Sequence, residues 1–246
     1  MSIQFSNTTT KSGIIQQIEK NCGFPDGTIS GNTTLMAQFT ADVNLALDDV
    51  LAIVIPASGT WQYDDSNHTD YPIATTDLVS GQRDYSFTTD ETGNLVLDMY
   101  RVMVKGQDGI FKDLKPIDQQ TSQDATTFND GVDSQGTPTR YDKTGNGIFL
   151  DLIPNYNSTG GLKIYVNREA SYFTVSDTTK KAGFSGLFHE YLVLKPSYNY
   201  SRTKNLDNKE TLKRDLVEMQ LAMKNHYASR QRDVKTRMIA NVESNK

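Results

Sequence analysis

Leu35-Met-Ala-Gln-Phe-Thr-Ala-Asp-Val-Asn-Leu-Ala-Leu-Asp-Asp-Val-Leu-Ala-Ile-Val54 and Leu95-Val-Leu-Asp-Met-Tyr-Arg-Val-Met-Val104 obey different periods, and the change between them decides the fold class. In the first, Leu35, Phe39, Val43, Leu47, Leu51 and Val54 recur every three or four residues, which predicts one apolar helix face over several turns. Thr33 or Thr34 is expected to cap it, Pro56 and Gly59 to end it, and Asp42, Asp48 and Asp49 to face away from the stripe. In the second the apolar residues alternate or run together, as in a strand.

Working outward, the strand-like period holds from Trp61 to about Val175. Asp84-Tyr-Ser-Phe-Thr88, Gly147-Ile-Phe-Leu-Asp-Leu-Ile153 and Leu162-Lys-Ile-Tyr-Val166 join the Leu95 run, with turn signals at Gly93-Asn94, Asp108-Gly109 and Asn146-Gly147. Five or six short strands at hairpin spacing predict an antiparallel sandwich or barrel. Residues 118 to 138 are polar and Gly-containing, and read as a long, mobile loop that reaches a neighbour.

Helix is expected again on both sides of this block. Ile14, Ile15 and Ile18 mark a helix of two turns that stops near Gly23 and Pro25, and Leu187, Phe188, Tyr191, Leu192 and Leu194 mark another after Gly183, broken or kinked at Pro196. A last helix, capped by Asp207 or Asn208, carries the stripe Leu212, Leu216, Met219, Met223 and Tyr227. The fold class expected is therefore α+β: a helical bundle of N- and C-terminal helices with an inserted antiparallel β-sandwich or barrel domain. Its parts are a flexible N-terminal arm (1–13), the bundle (14–58 and 184–227), the inserted β-domain (59–183) and a C-terminal arm (228–246).

Composition narrows the function. No run approaches the roughly 18 apolar residues of a membrane span, and Met1-Ser2-Ile3-Gln4-Phe5 has no signal-peptide pattern, so an intracellular, non-membrane protein is expected. The single cysteine, Cys22, excludes a disulfide framework and reads as a small packed residue. Residues 1 to 130 hold 18 acids and 7 bases, net −11, and residues 131 to 246 hold 12 acids and 18 bases, net +6. Such polarity suits an acidic end and a basic end that meet different partners, although scatter over a solvated surface is the plain alternative.

Catalytic and metal chemistry are not signalled. His68, His189 and His226 lie in three segments without ligand-like spacing, and His189 and His226 read as helix-surface or packing residues. Asp64-Asp-Ser-Asn-His-Thr-Asp70 offers oxygens but lacks the Gly and Glu of a calcium loop, and Lys143-Thr-Gly-Asn-Gly147 precedes a strand, so it reads as a hairpin turn and not a phosphate loop. No enzyme, cofactor or metal is expected. Trp61, Tyr63, Tyr71, Tyr85, Tyr100 and Tyr141 would suit either a sugar platform or ordinary strand faces. Arg230, Arg232, Lys235 and Arg237 sit around a basic continuation of the last helix, after the Tyr227 stripe stops, and point to a protein partner ahead of a nucleic acid.

Three stretches in order resemble the head-to-tail adaptor, or collar, proteins of tailed bacteriophages. Val43-Asn-Leu-Ala-Leu-Asp-Asp-Val-Leu-Ala-Ile-Val54 is followed at once by Trp61-Gln-Tyr-Asp-Asp65. Pro72-Ile-Ala-Thr-Thr-Asp-Leu-Val-Ser-Gly-Gln-Arg-Asp-Tyr85 opens the β-region, and Gly109-Ile-Phe-Lys-Asp-Leu-Lys-Pro-Ile-Asp118 completes a strand. Leu162-Lys-Ile-Tyr-Val-Asn-Arg168 leads through Gly183-Phe184 to Phe188-His-Glu-Tyr-Leu-Val-Leu194 and the final helix. The likeness spans about residues 35 to 237; Pro196 departs from it, standing where the family usually has small residues.

The resemblance implies a structural protein of the virion neck, assembled in the bacterial cytoplasm as a homo-oligomeric ring, commonly of twelve subunits, between the portal protein and a tail or nozzle protein. Genomic DNA would pass through without specific binding. It makes 228–246 the portal-docking arm, with Arg230, Arg232, Lys235 and Arg237 as its charged contacts. A conduit for DNA also calls for acids of residues 42 to 130 on channel and tail-facing surfaces, and for arms that order on assembly. The alternatives are a stopper, tail-completion or tail-tube component, or a glycan- or receptor-binding module using the β-domain.

Overall fold

The chain is mixed α+β. A computed structural model describes residues 3–58, 73–91, 93–117, 134–145 and 147–229. Among them are four helices, α1 (Ile14–Asn21), α2 (Thr33–Ser58), α3 (Tyr191–Lys204) and α4 (Lys209–Ser229). Eight strands lie between α2 and α3: β1 (Ile73–Leu78), β2 (Asp84–Ser86), β3 (Val96–Lys105), β4 (Phe111–Asp113), β5 (Lys115–Pro116), β6 (Arg140–Thr144), β7 (Gly147–Leu150) and β8 (Ser158–Arg168).

The strands form two four-stranded sheets, ordered β1-β8-β3-β4 and β2-β7-β6-β5, antiparallel except for the short β5–β6 pair. Side chains from both sheets share one apolar cluster: Ala74, Leu78, Val102, Val104, Leu162 and Ile164 from the first, Tyr85, Tyr141, Ile148 and Leu150 from the second. Gly109 to Asp118, read from sequence as one strand, is two. Leu114 is buried between β4 and β5, and the chain crosses there from one sheet to the other. In β3 the register shifts between Val96 and Asp98 and again between Met99 and Arg101. These bulges leave Leu97-Asp98 and Tyr100-Arg101 exposed as adjacent pairs, where strict alternation would hide one of each.

A second apolar cluster contains the helices. α2, α3 and α4 each contact the other two and α1 packs on α3, burying Phe39, Val43, Leu47 and Val50 with Tyr191, Leu192, Leu216, Met223 and Tyr227. A fully buried Leu, Val or Phe contributes about 1.5–3 kcal/mol, so the three isoleucines of α1, all fully buried, hold that short helix in place. Three sequence expectations shift along the chain. Asn32, and neither threonine after it, caps α2, its side-chain oxygen accepting from the N–H groups of Thr34 and Leu35. The helix expected from Gly183 begins at Tyr191, so Pro196 lies inside its second turn, and the helix continues through it. The β-region ends at Arg168, before 183, because Ala170, Phe173 and Phe184 are buried in the helical cluster.

The expected flexible arm over 1–13 is corrected for its described part. Phe5 is fully buried and stacks on Phe173, ring centroids 4.5 Å apart. The N–H groups of Phe5 and Ser6 donate to the carbonyls of Lys180 and Thr178, and those of Ile14 and Ile15 to Gln4 and Phe5. The segment folds back so tightly that a Cβ on Gly13 would lie 2.4 Å from the backbone nitrogen of Asn7. Two apolar residues, Ile3 and Phe5, in an otherwise polar stretch carry too little period to be read as anchors.

Candidate docking surfaces

The last described turn of α4 is firmly held. Tyr227 is 1% exposed, its hydroxyl accepts from the N–H of Ser185 at 3.1 Å, and its ring lies near those of Phe188 and His226. Leu212, Leu216 and Met223 are buried and Met219 is half-buried, so the α4 stripe is the one expected from spacing. Arg230, Arg232, Lys235 and Arg237 lie outside the described residues. What the structure supplies is their root, a helix end anchored through an aromatic residue two positions before Ser229.

His189 and His226 are packing residues, and His68 lies outside the described residues. His189 is 1% exposed and precedes α3; it is not on a helix surface. Its Nδ1 accepts the N–H of Ile3 at 3.0 Å, so Nε2 carries the proton and donates to the carbonyl of Phe184, also at 3.0 Å. Burial holds its pKa below the usual imidazole value. Both ring nitrogens are thus spent on backbone, tying the N-terminal segment to the turn before α3.

Other polar groups tie helices together and were not legible in sequence. Glu19, 1% exposed, accepts the N–H groups of Gly27, Ile29 and Ser30, which shapes the α1–α2 connection. On α2, Asp48 accepts the Tyr172 hydroxyl at 2.6 Å, while Asp49 pairs with Lys195 at 2.6 Å and lies 3.5 Å from the Tyr191 hydroxyl. Burial and then Asp48 raise the Tyr172 pKa; burial takes Tyr191 up to about 12 despite the Gln220 amide that donates to its oxygen. Asp48 and Asp49 therefore serve contacts within the chain as well as its acidic surface. Cys22 is buried beside Ser197, and burial pushes its thiol up to about 11, as befits an inert packed residue.

In the β-region, β6 and β7 pair as a hairpin with Lys143 opposite Ile148 and Thr144 opposite Gly147, and Gly145 has φ +59°. Asp64 to Asp70 lies outside the described residues, and among those described no three His, Cys, Asp or Glu side chains could share a metal ion. Trp61, Tyr63 and Tyr71 also fall outside; of the described platform residues Tyr85 and Tyr141 are buried in the core and Tyr100 is exposed. It lies beside Tyr165 on the outer face of the first sheet, where Arg101 covers Tyr165 and grips Asp113 with two hydrogen bonds of 2.7 and 2.9 Å. Burial and one conspicuous ion pair close the other end: Arg168 meets Asp90 at 3.2 Å, each side chain 3% exposed. Of the long 118–138 loop, 118–133 lies outside the described residues, and Ser134 and Gly136 are bonded to Ile153.

Between α3 and α4 an open groove of about 360 Å³ is lined by Glu190, Asp215 and Glu218 over Leu194, Met219 and Ala222. Three carboxylates around an apolar floor suit a basic protein segment more than any small anion.

No protein-family model matches the chain. No curated protein sequence matches it either. The geometry of its surfaces and the order of its sequence stretches carry the functional reading. Among the described residues no helix is long and apolar enough to cross a membrane.

Proposed function

We propose that this chain is a head-to-tail adaptor of a tailed bacteriophage: a non-enzymatic ring subunit of the virion neck, seated between portal and tail, through which DNA passes. In this reading the two ends of the chain make a helical bundle and the middle is a β-sandwich inserted into it. The observation that carries it is the root at Tyr227. The described helix is held by its apolar stripe up to that residue, and the sequence that follows it, Arg230-Gln-Arg-Asp-Val-Lys-Thr-Arg237, is basic in composition and suited to burial against other subunits. The distribution of charge supports the same assignment, since the first 130 residues are net −11 and a strongly basic conduit would retain DNA.

The test is co-sedimentation of the full chain with portal rings from the same virion. Binding is expected, with loss on deleting residues 228–246 and at least roughly tenfold weakening for a variant with Arg230, Arg232, Lys235 and Arg237 all changed to Ser. Undiminished binding by the deletion variant would remove the portal-docking role. Binding to tail but not portal would favour a stopper or tail-completion protein; binding of cell-wall glycan through the Tyr100–Tyr165 face, with no portal affinity, would favour a receptor module.

A further inference from the structure

The groove between α3 and α4 has an apolar floor and an acidic rim. Leu194, Met219 and Ala222 make the floor, Glu190, Asp215 and Glu218 stand around it, and among the described residues lining it none is basic. Neither the Glu190 nor the Glu218 carboxylate takes part in a hydrogen bond or ion pair among the described residues, whereas Asp215 is shared with Arg214 at 3.3 Å. Glu190 and Glu218 are therefore the acids left to attract a partner.

The sequence supplies one segment of the complementary kind. Of the longer stretches outside the described residues, 59–72 holds three aspartates and 118–133 four, and neither holds a lysine or arginine. Residues 230–246 hold Arg230, Arg232, Lys235, Arg237 and Lys246 against Asp233 and Glu243, with Val234, Met238 and Ile239 among them. A segment that mixes cations with apolar side chains suits this groove, since its apolar groups can cover Leu194 and Met219 while its charges stay at the wet carboxylate rim.

The segment also begins within reach. Glu218 lies eleven residues before Ser229, about 16 Å along the axis of α4. If residues 230–233 make a reversal, an extended chain has run back about 13 Å by Arg237, and two long side chains close the remainder. Glu190 lies nearer the end of α4, because Phe188, two residues before it, packs by Tyr227. Lys235 meets it first. A tether this short holds the segment at an effective concentration on the order of millimolar.

We propose that residues 230–246 dock in the α3–α4 groove of their own chain, with Lys235 beside Glu190, Arg237 beside Glu218, and Met238 and Ile239 over the floor. This goes beyond the adaptor reading, which gives the same segment to the portal. A chain that has not met a portal keeps its cationic segment covered, and the portal draws it out of the groove.

Limited trypsin digestion of the full chain at low salt, followed by mass spectrometry, tests this. Cleavage after Lys235 and Arg237 should be slow in the wild type. It should be roughly threefold or more faster in the Glu190→Gln/Glu218→Gln variant, and in the wild type at high salt. Both substituted side chains are exposed, and unchanged cleavage after Lys204, at the end of α3, verifies the fold in the same digest. A zero-length carbodiimide, which joins an amine to a carboxylate in contact with it, should couple Lys235 to Glu190 or Glu218 within one chain at low protein concentration. Equal cleavage of wild type and variant, or no coupling, overturns the docking; coupling found only between two copies overturns its assignment to the same chain. Neither readout contains portal, so failure of this docking and failure of the adaptor reading are separate results.

Discussion

The two apolar clusters are built in opposite ways. Among the described residues, the β cluster draws its buried members from residues 74 to 166, one stretch of chain. The helical cluster is made from both ends: Phe5 stacks on Phe173, Ile3 is bonded to His189, and Asn208 donates to the carbonyl of Asn21. The first kind of core closes on itself once its strands pair. The second exists only when distant parts of the chain have met, so its weakest joints are the polar and aromatic clasps between them. A unit of the first kind suits insertion, because its growth or exchange leaves the clasps of the second untouched.

The largest expected effect breaks the β side. Arg168→Met leaves the Asp90 carboxylate buried without its partner and should cost about 3–5 kcal/mol, read as a lower urea midpoint. An effect under about 1 kcal/mol would mean that solvent already reaches the pair. Next comes the helical side: Phe5→Ala removes the ring stacked on Phe173 and should cost about 3 kcal/mol, the low end for a phenylalanine because a segment near the chain end can relax into the space. The same unfolding curves check it. Protease release of the first dozen residues, with the β-region still intact, would show that the clasp opens by itself.

The smallest effect sharpens the comparison through pH. His189 is neutral in the folded chain and its pKa is depressed there by burial. Above the unfolded value, about 6.5, both states are neutral and pH has no effect through this group. Below it the unfolded chain takes up a proton that the folded chain resists, so stability falls as pH drops toward the depressed folded value, by at most about 1.4 kcal/mol per pH unit. Urea midpoints between pH 7.5 and 5 should show this, and His189→Gln should flatten that part of the profile. A profile unchanged by the substitution would mean the imidazole does not clasp Ile3.

Periodicity exposed the stripes of α2 and α4 and the longer strands, because each is decided by neighbours a few residues apart. It misjudged the N-terminal segment, where Ile3 and Phe5 act singly, and the stretch from Ala170 to Phe184, whose buried residues are too widely spaced to show a period. The family resemblance, and not period, placed Gly109 to Asp118 in one strand, and nothing local marks Leu114 as the point where the chain changes sheets. Of the docking surface, the cationic run after Tyr227 is plain in the letters of the sequence. The exposure of Leu45 and Leu221 is not, because an apolar residue on a helix reads as core until its neighbours are known.

By itself, then, the order of residues determined the mixed α+β character, the central block of strands and the separation of acidic from basic halves, all properties of composition and short-range period. Only the tertiary structure decided which ends meet, which acids are spent on Tyr172 and Lys195, that Arg168 is buried against Asp90, and which leucines remain uncovered. The physical reason is range. Helix and strand arise from contacts within a few positions, whereas burial and ion pairing depend on segments that the chain joins across 78 residues, from Asp90 to Arg168, or across 186, from Ile3 to His189.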